Sequence, residues 1–98
     1  MKQMYEDALN AYEKARLELA EATKDYDNSR HAIRMKMYTE KLAGAKLTDE
    51  HIRSATINAC MNQKNRYEDA LAQFDIARER LEFVKASCAT FVMENINK

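Results

Sequence analysis

The side chains of this 98-residue chain that could hold a metal ion or transfer protons are two histidines, two cysteines and several neighbouring carboxylates. Ligands on one helix must lie three or four residues apart, because only those side chains share a face. His51 follows Glu50 directly, and adjacent residues diverge by about 100° around a helix. The other histidine, His31, lies 20 residues earlier. This spacing predicts no metal site, and nothing in the sequence indicates a cofactor.

The cysteines and carboxylates give no indication of catalysis. Cys60 and Cys88 lie 28 residues apart, about 40 Å along a continuous helix, so they cannot form a disulfide with each other. Both fall on an apolar stripe, which predicts core thiols in a reducing cytoplasm. The acidic pairs Glu6-Asp7 and Glu68-Asp69 are expected on solvated faces. Because phosphate loops and nucleophile elbows are also missing, we predict a protein that is not an enzyme and has no small-molecule substrate.

The composition favours long helices. The chain contains no Pro and one Gly, and 33% of its residues are charged. Ala, Leu, Met, Glu and Lys, which favour helices, are abundant. No run of about 18 apolar residues could span a membrane. The N-terminal residues lack the apolar segment of a signal peptide, so we expect a cytoplasmic protein.

Apolar residues recur at heptad spacing in two parts of the chain, as in a coiled-coil seam. In the first part, large residues alternate with small ones: Tyr5, Tyr12, Leu19, Tyr26 and Ile33 with Ala8, Ala15, Ala22 and Ser29. The second part has the two series Tyr67, Phe74, Leu81, Cys88 and Ala70, Ala77, Val84, Phe91. The pattern predicts two helices whose large residues pack on small residues of the other.

A turn separates these two parts. Gly44 is expected to cap the end of one helix, and Thr48 to cap the start of the next. A connection this short makes the helices antiparallel neighbours. We therefore predict an all-α fold, an antiparallel two-helix coiled-coil hairpin that forms one domain over residues 1–98. Its predicted elements are a helix over residues 2–43, a turn over residues 44–48 and a helix over residues 49–96.

Two pairings of the helices satisfy this pattern. In the first, Tyr26 lies near Ala70, and Ala15 lies near Leu81. In the second, shifted by one heptad, Leu19 lies near Ala70. Both place large residues against small ones, so the sequence leaves the register open to within one heptad.

Apolar residues outside the seam predict an interface. Two helices sharing one seam bury little surface, so we expect oligomerisation to complete a helical bundle. Leu71 and Val92 widen the seam, whereas Ile76 and Phe83 lie seven residues apart on a separate flank. These four residues form the predicted protein interface. The alternative is that they are scattered surface residues, which are common in proteins.

Charge is segregated although the formal net charge is zero. Residues 28–66 carry eight basic and three acidic side chains, whereas the remaining residues carry a net charge of −5. Basic and amide side chains at the turn end form a candidate nucleic-acid contact: Arg30, Arg34, Lys36, Lys41, Lys46, Asn58, Asn62 and Arg66. These residues could neutralise phosphates. The alternative is that this basic end meets the acidic end of another copy.

In outline the chain resembles small helical-hairpin accessory proteins of bacteriophages and mobile elements. The resemblance lies in a charged Ala-rich helix, a short turn with the segment Lys46–Glu50 and a second long helix. It implies a cytoplasmic accessory role, in the host cytoplasm if the protein is phage-encoded, and assigns no functional residues. We predict a non-catalytic protein-binding hairpin that docks on, and inhibits, another protein. The alternatives are a nucleic-acid-associated replication or recombination accessory protein and a structural oligomeric spacer.

Overall fold

A computed structural model describes the backbone of residues 2–96 and the side chains of residues 2–89. It contains three helices, α1 (Lys2–Leu42), α2 (Asp49–Ala59) and α3 (Met61–Ile96). All regular secondary structure in these described residues is helical, which confirms the all-α prediction. Among the described helices, none is both long enough and apolar enough to cross a membrane.

The end of α1 is capped by glycine, as predicted. Gly44 has a φ of 108°, in the region where any other residue is strained. Its N–H donates to the carbonyl of Lys41 at 3.1 Å, and the N–H of Ala45 donates to the carbonyl of Glu40 at 3.0 Å. These two bonds form a Schellman motif, which satisfies carbonyls that the helix leaves without partners. The helix ends at Leu42, one residue before the predicted boundary.

The start of α2 is capped by Thr48, also as predicted. The Thr48 side-chain oxygen accepts a hydrogen bond from the backbone N–H of His51 at 3.1 Å. Asp49 and Glu50 occupy the first turn, where negative charge is favourable to the helix dipole. Asp49 also lies 3.1 Å from the Lys41 ammonium group, joining the end of α1 to the start of α2.

Thr48→Ala is expected to lower the free energy of unfolding by about 1 kcal/mol, because one backbone donor of α2 loses its acceptor. Urea denaturation followed by circular dichroism measures this loss. Thr48→Ser, which keeps the hydroxyl group, is the control and should remain close to the original chain. Equal midpoints for all three proteins would show that the cap does not stabilise the fold.

The prediction of one continuous helix over residues 49–96 is wrong, because Cys60 separates α2 from α3. Cys60 has φ −103° and ψ 17°, outside the helical region. One turn earlier, the hydroxyl of the buried Thr56 donates to the carbonyl of Ile52 at 2.6 Å. Hydroxyl bonds of this kind bend helices. Neither Gly nor Pro lies at the break, so composition did not predict it.

The chain divides into two compact units, which are described separately. The first consists of the described residues of Met1–Leu19 and Ala70–Lys98. Its core is formed by Ala8, Leu81 and Val84, with Tyr5, Leu9, Tyr12 and Cys88 packed around it. Leu81 thus lies in the same core cluster as Ala8, whereas the first predicted pairing placed it near Ala15.

The second unit is Ala20–Asp69. Ala22, Ile52, Thr56 and Cys60 are buried in it. The rings of Tyr26 and Tyr67 lie next to each other, with their centroids 5.7 Å apart. Of the seam residues in this unit, Ala22 is buried, and Ser29, Tyr26, Ile33 and Tyr67 are half-buried. Every predicted seam residue of this unit is thus at least partly buried.

Candidate protein-docking surfaces

The side chains with possible chemistry in the described part of the chain are its His, Cys, Asp and Glu residues. No group of three or more His, Cys, Asp or Glu side chains is placed to hold a metal ion there. Asp27 does lie one turn before His31, but its carboxylate accepts a hydrogen bond from Arg30. Cys60 and Cys88 are both free, the first buried and the second half-buried. The other candidate sites predicted from the sequence are the apolar flank of α3 and the basic residues near the turn.

The apolar flank of α3, formed by Ile76 and Phe83 and called here the α3 flank, is open to solvent. Ile76 is 59% exposed and Phe83 is 69% exposed. They lie two helical turns apart, about 10 Å along the axis. A different side of the same helix, about 80–160° around from these two residues, buries Ala77, Leu81 and Val84. Since the core of this unit is already filled from that side, the α3 flank is available to another molecule.

Charged residues border the α3 flank. Glu79 and Arg80 lie three or four residues from both apolar side chains, and both are exposed. Asp75 immediately precedes Ile76, and Glu82 immediately precedes Phe83. A compact apolar patch rimmed by charge is typical of a protein interface.

Leu71, another predicted interface residue, does not extend this patch. Leu71 is 37% exposed, but it lies five residues before Ile76 and therefore about 140° away around the helix. The side chain of Val92 lies outside the described residues. Of the four predicted interface residues, the structure places Ile76 and Phe83 on one surface and Leu71 on another.

No protein family, curated protein or solved structure matches this chain. The chemistry of its surfaces must therefore indicate what they bind. An exposed Ile and Phe one heptad apart suit an apolar partner surface. Exposed cations suit phosphates or carboxylates. Cations that already contact acids of the same chain are less available to either.

The predicted polar contact residues all belong to the second unit. Six of them are exposed: Arg34, Lys36, Lys46, Asn58, Asn62 and Arg66. Three of the eight, Arg30, Lys41 and Arg66, contact carboxylates of the same unit. These predicted contact residues thus lie in one unit, but three of the cations among them already contact carboxylates.

Arg30 is the most constrained of these cations. Its guanidinium donates to the Asp27 carboxylate and lies 4.3 Å from the centre of the Tyr26 ring. The hydrogen bond to Asp27 raises the pKa of Arg30 above its ordinary value. Because the guanidinium contacts a carboxylate and an aromatic face, moving it to a phosphate would break both interactions.

Lys41 and Arg66 make weaker contacts with carboxylates. Lys41 lies 3.1 Å from Asp49. Arg66 lies 3.6 Å from Asp25 and 3.8 Å from Glu21. Exposed pairs of this kind add little stability, but they lower the positive potential that a phosphate backbone would meet.

A second apolar surface, which the sequence analysis missed, lies on α1 in the second unit. Met35, Tyr38 and Leu42 are all exposed, Leu42 to 90%. Their spacing of three and four residues places them on one face of the helix, and we call them the α1 stripe. Arg34 and Lys41 immediately precede Met35 and Leu42. The spacing of three and four residues is the sequence signal that could have identified this surface.

Proposed function

We propose that this chain is a non-catalytic protein-binding module, an antiparallel helical hairpin that docks a partner protein on the α3 flank. The observation that carries the proposal is the exposure of Ile76 and Phe83 on a helix that buries a different side, formed by Ala77, Leu81 and Val84. A core residue would not be so exposed. A solvated helix face would normally carry polar residues at both positions.

The contacts within each unit support the hairpin. In the first unit, Ala8 of α1 packs against Leu81 of α3, and the Tyr12 and Phe74 rings lie 5.4 Å apart. The later residue of α1 pairs with the earlier residue of α3, as antiparallel helices require. In the second unit, the contact between Tyr26 and Tyr67 pairs α1 with α3.

The size of the two exposed side chains supports docking. Burying one Ile or Phe side chain contributes about 1.5–3 kcal/mol relative to leaving it in water. Because Ile76 is 59% and Phe83 is 69% exposed, a partner that covered the rest of both would gain roughly 2–4 kcal/mol before the costs of association. Aromatic residues in the middle of a charged rim often dominate the energy of an interface.

The state of the cations favours a protein partner over nucleic acid. Arg30, Lys41 and Arg66 already contact carboxylates. The chain as a whole has a formal net charge of zero. Since nucleic-acid affinity comes largely from unpaired cations that neutralise phosphates, these contacts weaken that alternative.

Phe83→Asp is expected to abolish capture of the partner while leaving the fold intact, because the substituted side chain is largely exposed. Affinity purification with nuclease present, followed by mass spectrometry, measures the capture. Leu17→Asp is the matched control, since Leu17 is another exposed apolar residue outside the α3 flank.

A partner recovered with the original chain and with Leu17→Asp, but not with Phe83→Asp, would support the proposal. Equal recovery by Phe83→Asp would remove the α3 flank from the interface. Recovery of no other protein at all would contradict the docking of a foreign partner.

A further inference from the structure

We propose that the α3 flank also binds a second copy of this chain. Ile76 and Phe83 of one copy pack on the α1 stripe of the next copy. This inference rests on the proposed function, because it names a partner for the same surface. It follows from the spacing and the charge of two exposed surfaces that lie on different helices.

The apolar residues of the two surfaces have the same spacing. Ile76 and Phe83 are seven residues apart, as are Met35 and Leu42. Each pair therefore spans two helical turns, about 10 Å. Two helices with apolar residues one heptad apart can pack side by side with both pairs in contact. Tyr38 lies between Met35 and Leu42 and is also exposed.

The charges beside these residues are opposite. On α3, the residues immediately before the apolar pair are acidic, Asp75 and Glu82. On α1, the residues immediately before Met35 and Leu42 are basic, Arg34 and Lys41. Since each charge precedes its apolar neighbour by one residue, it lies on the same edge of its surface in both helices.

Antiparallel packing brings these edges together, because like heptad positions that flank the contact then face each other. With Phe83 against Met35, the Glu82 carboxylate lies beside Arg34 of the other copy. With Ile76 against Leu42, Asp75 lies beside Lys41, and this pair would replace the contacts of Asp75 with Arg78 and of Lys41 with Asp49 within each copy. Charges beside an apolar seam set the choice and orientation of the partner helix.

The same edges disfavour symmetric contacts. Two α3 flanks in antiparallel contact would place Asp75 of one copy against Glu82 of the other. Two α1 stripes would likewise place Arg34 of one copy against Lys41 of the other. Like charges in an interface act against such pairings. Contact between two different surfaces is heterologous, so it closes into a ring if the rotation between copies allows closure and otherwise continues as an open chain.

Mixing two variants tests this inference. Sedimentation velocity should show oligomers of the original chain that grow with concentration. Phe83→Asp lacks a working α3 flank and Leu42→Asp lacks a working α1 stripe, so each alone should associate roughly tenfold or more weakly. An equimolar mixture should form one discrete heterodimer, because one intact surface of each kind remains. Circular dichroism checks that both variants are folded.

Charge reversal provides the second measurement. Arg34→Glu and Glu82→Arg should each weaken association. The double variant Arg34→Glu with Glu82→Arg should recover it, since the pair is restored with its signs exchanged. Failure of the double variant to recover association would overturn the proposed pairing of the edges.

Other results would overturn the inference. If Leu42→Asp alone stays dimeric, the contact is between two α3 flanks. If the original chain is monomeric at every concentration but binds phosphatidylserine vesicles through Leu42, the α1 stripe meets a lipid surface. A monomeric chain that still captures a foreign protein through Phe83 would refute self-association and leave the proposed function standing.

Discussion

Leu81→Ala is expected to lower the free energy of unfolding by about 2–5 kcal/mol, since it empties the core beside Ala8 and Val84. Small domains have a total stability of about 5–15 kcal/mol, so this loss is a large part of the whole. Urea denaturation provides the measurement. Circular dichroism, which reports helix content, follows the unfolding.

The control for this prediction is Leu17→Ala. Leu17 belongs to the same unit as Leu81 but is exposed. An exposed substitution of this kind changes stability by about 0.5 kcal/mol or less. Similar losses for Leu81→Ala and Leu17→Ala would show that Leu81 is not in a packed core.

Ile52→Ala should destabilise the second unit by a comparable amount, about 2–5 kcal/mol. Ile52 is buried in α2, a helix of 11 residues. Helices shorter than about 12–15 residues are marginal in water on their own. Packing of Ile52 must therefore hold this helix in place, and its loss should expose the α2 amides to hydrogen exchange, measured by nuclear magnetic resonance.

The same short helix provides a matched control. Ile57 is the same residue type as Ile52, but it is exposed. Ile57→Ala should leave most of the protection of the α2 amides in place. If it accelerated exchange as much as Ile52→Ala, burial of Ile52 would not be the cause of the protection.

The features that depend on neighbouring residues were predictable from the sequence. Gly44 and Thr48 set the ends of α1 and α2 through hydrogen bonds that reach no more than five residues along the chain. The heptad spacing of large and small residues also predicted which seam positions are buried, because helix geometry fixes the face on which a residue lies.

The features that depend on distant contacts were not predictable. The break at Cys60 accompanies the buried hydroxyl of Thr56, and burial at that position depends on residues far away in sequence. The pairing of Ala8 with Leu81 was one of two registers that place small residues against large ones. Choosing between them requires the packing of the whole seam, which local patterns do not contain.

The candidate surfaces divide in the same way. The exposure of Ile76 and Phe83 follows from their position on α3 relative to the seam, and it was predicted. The contact of Arg30 with Asp27 and Tyr26 depends on the side-chain conformations of three residues, so counting charges overestimated the cations available for phosphates.

The two sides of α3 have separate consequences for the protein in a living cell. Substitutions at Ala77, Leu81 or Val84, which are buried, would increase the unfolded fraction and so reduce the amount of protein that escapes proteolysis. Substitutions at Ile76 or Phe83 would leave protein abundance unchanged and affect only what the protein binds. Abundance and phenotype measured together across this one helix would therefore separate loss of the protein from loss of its interactions.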